Sequence, residues 1–222
     1  MYYRNERDLQ AELAMLDFGL FKPDLAKYSR RELPVGNCRP DLLCVYIENM
    51  PDVQIWPHNW SHKHSYVIWV LRNKHKVSPE NIAKYSYERE KKIQPILDDL
   101  INKNILTWTD PNKLSLSAPI KNMQANVVAV EAKLKNWREA LSQAKHYKEF
   151  ANIAIVAMDA SNIPIAKTIL AEFVNNGIGL CAVSPRAIDW VIRPRKSTTV
   201  PSHQKEYIVM SAAHPKTQTA WS

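Results

Sequence analysis

The sequence has 222 residues, 45% of them hydrophobic, enough for one large domain or for a core with a small second module. With 30 lysines and arginines against 22 acidic residues, the formal charge is +8 and the pI about 9.3, which favours a polyanionic partner over an acidic small molecule. No run of roughly 18 apolar residues exists to span a bilayer, so no membrane partner is expected, and the charged opening, Met1 to Asp8, does not read as a secretory signal.

Three cysteines, Cys38, Cys44 and Cys181, form no C-x-x-C pair. An odd count of this kind is expected of reduced, buried thiols in a cytoplasm. Along the chain, Leu9, Leu13 and Leu16 recur at helical spacing from Asn5 to Leu16, with Asn5 and Asp8 as the start signal. Glu6 and Glu12 both lie near the apolar flank of this helix, and either could face the edge of the core. From Tyr28 the pattern turns extended, over Arg31 to Val35 and again over Cys38 to Ile47, with the turn-prone Gly36-Asn37 between. Asp41 follows Pro40 at the irregular start of the second run.

Residues 48–125 interrupt the strands. Met50 to His64 is a connector whose His58, His62 and His64 have no cysteine or carboxylate placed to complete a metal site, so they are expected to be exposed loop histidines. Ser65 to Lys74 is expected to be helical. A second helix opens on Ser78 and Pro79, and a third, Tyr87 to Asn104, has Ile93, Ile96, Leu97, Leu100 and Ile101 as its inner stripe. Pro95 is expected to kink or restart it. Ile105 to Ser117 reads as a hairpin with Asp110 to Asn112 at its tip. From His62 to Ala118 there are 10 Lys/Arg and 6 Asp/Glu.

The run Asn126 to Leu134 is apolar except for Glu131 and Lys133, which an extended strand sends to the same face. Its local reading is a salt-bridged strand end or a functional charge pair. Asn136 and Glu139 form a capping-box pattern for a helix expected to reach about Ala151 and to bury Trp137, Leu141, Ala144 and Tyr147. Asn152 to Met158 and Gly177 to Val183 read as strands covered on both faces. Between them Ile163 to Asn175 reads as a helix with Ile169, Leu170, Phe173 and Val174 inward. That order calls for parallel crossovers in an α/β domain. Ile188 to Ile192 can pack on the core, and residues 193–222 read as a basic, exposed or partner-bound tail.

Taken together, Pro40-Asp41, Glu131-Ala132-Lys133 and Gln143-x-x-x-Tyr147, preceded by the glutamate-bearing helix at Glu6, resemble the PD-(D/E)XK nuclease superfamily. The helices and hairpin of residues 62–118 are similar to a winged helix-turn-helix module. The resemblance implies an α/β fold, a restriction-endonuclease-like mixed sheet flanked by helices. Its core would be discontinuous, 1–47 and 126–192, with the winged helix inserted. It implies a metal-dependent deoxyribonuclease in which Asp41, Glu131 and the Ala132 carbonyl hold Mg2+ or Mn2+. Lys133 would orient or deprotonate the attacking water, and Glu6 would take a second ion or its water. Gln143 and Tyr147 would position the nucleic-acid backbone or the lysine. Arg89, Lys91, Lys92 and Gln94, at the start of the third helix, would meet duplex DNA. A homodimer is a possible assembly and the cytoplasm the expected location. The alternative is a catalytically inactive nuclease fold serving as a DNA-binding regulator or assembly subunit. An RNA-directed nuclease is a third possibility.

Overall fold

The computed structural model describes residues 2–50, 60–198, 200 and 202–213. In chain order the elements are α1 (Glu6–Met15), β1 (Ala26–Arg31), β2 (Leu42–Glu48), α2 (His62–Lys74), α3 (Pro79–Tyr85), α4 (Glu90–Asn102), β3 (Leu106–Asp110) and β4 (Lys113–Leu116). There follow α5 (Ala118–Asn122), β5 (Gln124–Lys133), α6 (Trp137–Tyr147), β6 (Ile153–Asp159), α7 (Lys167–Asn176), β7 (Gly179–Ser184), β8 (Ala187–Ile192) and α8 (His203–Ala213). The described residues of 1–46 and 126–200 form one compact unit, and those of 47–125 and 201–221 form another.

The first unit is α/β, built on a mixed six-stranded sheet in the order β1-β2-β5-β6-β7-β8. β5, β6 and β7 run parallel to one another, and β8 returns antiparallel to β7. Every residue of β6 is buried, as a continuous apolar run in a sheet centre requires. β2 lies beside β5 although the whole of residues 49–123 separates them in sequence. α1 starts where Asn5 accepts a hydrogen bond from the Asp8 N–H and buries Leu9 and Leu13. The Asn152 side chain ties two segments together, accepting from the Val127 N–H at 3.0 Å and donating to the Ser197 carbonyl at 2.9 Å.

Several local expectations shift. The Arg31 to Val35 run is not a strand: β1 ends at Arg31, and Glu32 at φ +52° turns the chain out of extended geometry. Gly36-Asn37 still turns the chain, but between the short Val35–Cys38 bridge. α6 stops at Tyr147, whose carbonyl accepts from the N–H groups of Phe150 and Ala151. Trp137 is half-buried, and Val174 is 50% exposed, leaving Phe173 as the buried residue of α7. Ile188, Trp190 and Ile192 belong to the edge strand β8, with the Trp190 indole donating to the Phe18 carbonyl.

In the second unit, α2 to α4 precede the antiparallel β3–β4 hairpin, and Val77 makes an isolated bridge to Leu114. α2 begins earlier than expected because His64 caps it: its Nδ1 accepts from the Ser61 N–H at 3.2 Å and sits 2.8 Å from the Ser61 hydroxyl. His62 and His64 are therefore helical, and His64 is buried, 3.4 Å from Asp99; His58 lies outside the described residues. α4 is one helix that runs through Pro95, with Ile93, Leu97 and Leu100 buried. Within the expected tail, α8 packs Ile208, Val209, Met210 and Ala212 away from water, stacks Tyr207 on His62 and pairs Glu206 with Arg72 at 2.8 Å. Its apolar stretch is short and flanked by polar residues, so no periodicity announced it. Residues 199, 201 and 214–222 of that tail lie outside the described residues.

Candidate active site

The last three residues of β5 are Glu131, Ala132 and Lys133, and Asp41 immediately precedes β2, the neighbouring strand. Asp41 reaches across: its Oδ2 accepts from the Ala132 N–H at 2.7 Å, and its Oδ1 accepts from Gln10 Nε2 at 2.6 Å. The side chains of Glu131 and Lys133 share a face, with Lys133 Nζ 3.4 Å from Glu131 Oε1. Lys133 also lies 3.5 Å from Glu6 on α1 and 3.5 Å from Glu139 on α6. Tyr147, the last residue of α6, donates its hydroxyl to Glu131 Oε2.

Glu131 is 2% exposed, and burial together with the nearby Asp41 charge pushes its pKa up to about 7. Hydrogen bonding from Tyr147 and the Lys133 charge restrain that rise. Asp41 is also raised, by burial foremost, against the pull of the Ala132 N–H and Lys133. Burial works against the Lys133 ammonium, yet the carboxylates of Glu131, Glu6, Glu139 and Asp41 outweigh it and hold the pKa above the ordinary value. Lys133 thus stays charged at neutral pH. Burial and the hydrogen bond to Glu131 raise the Tyr147 phenol, so it remains a donor.

The structure brings together Glu6, Asp41, Glu131, Ala132, Lys133 and Tyr147. It separates Glu12, whose Oε1 accepts from the Arg186 N–H at 2.6 Å, from this group. Gln143 lies one turn before Tyr147 on α6, and its Oε1 is buried with no hydrogen-bond partner among the described residues. Two members escaped the sequence reading. Glu139 precedes Gln143 by four residues, as Gln143 precedes Tyr147, so a single helical stripe could have flagged it. Gln10 stands four residues after Glu6, which puts it on the same face of α1.

A hard cation favours oxygen ligands, and Mg2+ is commonly held by one or two carboxylates. The Asp41 charge raises the proton affinity of Glu131, a repulsion that a cation between them would relieve, so the donor chemistry fits. No cluster of three or more His, Cys, Asp or Glu side chains suited to a metal occurs among the described residues; the protein would supply two carboxylates and a backbone carbonyl. Tyr147→Phe removes the hydrogen bond that lowers Glu131, so the Glu131 pKa should move above 7, read by carboxyl-carbon NMR titration. An unchanged or lower value would mean that the phenol does not favour the ionised carboxylate.

In the second unit, Arg89 is the residue before α4, and Lys91 and Lys92 are exposed in its first turn. Lys92 lies 3.8 Å from Glu88, and Gln94 donates to Asp98 on its own helix at 2.8 Å. Arg89 and Lys91 therefore present the less engaged cations here. No family model, curated protein or solved structure matches this chain.

Proposed function

We propose that this protein is a divalent-metal-dependent DNA endonuclease of the PD-(D/E)XK kind, with the second unit acting as a winged helix that binds duplex DNA. The observation that carries this reading is the gathering of Asp41, Glu131 and Lys133 at the ends of adjacent strands, around a buried carboxylate with a pKa of about 7. Strongly perturbed carboxylates beside a fixed cation are characteristic of sites that do chemistry. The three helices, hairpin and Val77–Leu114 bridge of the second unit support the winged-helix part.

Asp41, Glu131 and the Ala132 carbonyl would hold Mg2+ or Mn2+. Such an ion, when bound, neutralises charge on the phosphate and lowers the pKa of water. Lys133, kept protonated by its carboxylates, donates to the charge that grows in the transition state. It acts as an electrostatic stabiliser more readily than as a base. Tyr147 fixes the orientation of Glu131, Gln10 that of Asp41, and Glu6 and Glu139 that of Lys133.

Purified protein with Mg2+ or Mn2+ is expected to nick or linearise supercoiled plasmid, and EDTA to stop it. Cleavage should strengthen as pH rises through about 7, because Glu131 must lose its proton before it can ligate. Duplex binding with no cutting under either metal would assign the chain to the non-catalytic DNA-binding subunits instead. Absence of both would sink the reading.

A further inference from the structure

A cleft of about 480 Å³ in the second unit is lined by Leu71, Arg72, His75, Lys76, Thr109, Ser115, Leu116 and Lys121, drawn from the end of α2, the hairpin and α5. Leu71 and Leu116 are buried and form its floor, while His75, Lys76, Thr109 and Lys121 are exposed at its rim. No acidic side chain lines it. None of the α4 residues considered above for DNA contact, Arg89, Lys91, Lys92 and Gln94, belongs to it.

Several acidic groups of this unit are already paired. Glu88 is engaged by Lys63 and Lys92, Asp99 faces His64, and Glu206 holds Arg72. Lys76 and Lys121 make no ion pair among the described residues. The two hydroxyls of the wall are turned to backbone carbonyls, Thr109 to Lys113 and Ser115 to Leu116, so its available donors are the two uncompensated ammonium groups and the His75 imidazole. That donor set suits phosphate oxygens, which bear full charge and accept from several donors at once. Lysine contacts of this kind position a backbone without reading its sequence.

We infer that this cleft is a second nucleic-acid contact, which seats the phosphodiester backbone independently of the start of α4. The inference rests on the side chains of the second unit and does not depend on nuclease activity. It is tested with the full chain in EDTA, by fluorescence anisotropy on a labelled duplex across a range of salt concentrations. Each lysine that neutralises a phosphate contributes about 0.9 to the slope of log affinity against log salt. Lys76→Ala with Lys121→Ala is therefore expected to reduce the slope by about 2 and the affinity at 0.1 M salt by about 50-fold, for any duplex sequence. Both positions are exposed, and circular dichroism verifies the fold.

Arg89→Ala with Lys91→Ala serves as the parallel variant. An unchanged slope in the Lys76/Lys121 variant overturns the cleft, whatever the α4 variant does. Failure of the wild-type chain to bind duplex overturns it too. A poly-glutamate peptide of matched charge that binds as tightly, with the same loss in the variant, overturns the assignment to nucleic acid. Loss of plasmid cleavage bears on the nuclease reading alone, because binding is measured without metal.

Discussion

Glu131→Gln and Lys133→Ala are each expected to reduce DNA cleavage by about a thousandfold or more, with the fold retained. Glutamine preserves an acceptor for the Tyr147 hydroxyl but cannot ligate a hard cation as a carboxylate does. The same substitution has a signature in stability. A carboxyl group with a folded pKa near 7, against an ordinary 4.5, is more easily protonated in the folded chain than in the unfolded one. Its favourable contribution is complete below about 4.5 and is lost as pH rises to about 7. Glu131→Gln escapes that loss, so its melting temperature should gain on the wild type between pH 5 and pH 8. Thermal unfolding at both pH values and plasmid cleavage test the pair of effects. Wild-type cutting by both variants, or a melting difference that ignores pH, would contradict the assigned roles. Sites that bury a charge for function commonly do so against stability.

Phe173→Ala is expected to destabilise the first unit by about 3–5 kcal/mol, the usual range for deleting a buried aromatic ring. Phe173 is the buried residue of α7, and its ring lies 6.3 Å from that of Trp137 on α6. Val174 is half exposed and Ile169 and Leu170 are only partly buried, so Phe173 is the main anchor of α7. Since α7 carries the parallel crossover from β6 to β7, the loss falls on the connection itself. Urea unfolding with a near-native slope provides the measurement, and a change below about 1 kcal/mol would mean that α7 is held elsewhere.

Much of the local architecture was legible from periodicity. The continuous apolar run of β6, the Ser78-Pro79 start of α3, the Asn136 cap of α6 and the β3–β4 hairpin follow from side-chain chemistry that acts within a few residues. β1 and α8 were harder. A positive φ at Glu32 moves a strand end without any glycine to signal it, and α8 is held by packing against α2 rather than by its own pattern.

By itself the sequence determined that Glu131 and Lys133 share one face of a buried strand, because the two-residue period of an extended chain admits no other result. It could not decide between a plain strand-end ion pair and a larger cluster. The tertiary structure decided that: it placed β2 against β5, brought Asp41 onto the Ala132 N–H, and chose Glu6 over Glu12. It also added Gln10 and Glu139. Helical period could place Glu139 and Gln10 on the right faces, but the distances that join Asp41 to Ala132 and Glu6 to Lys133 span long stretches of chain and are set only by packing on the sheet. The strand's two charges are thus fixed locally, and their company is fixed globally.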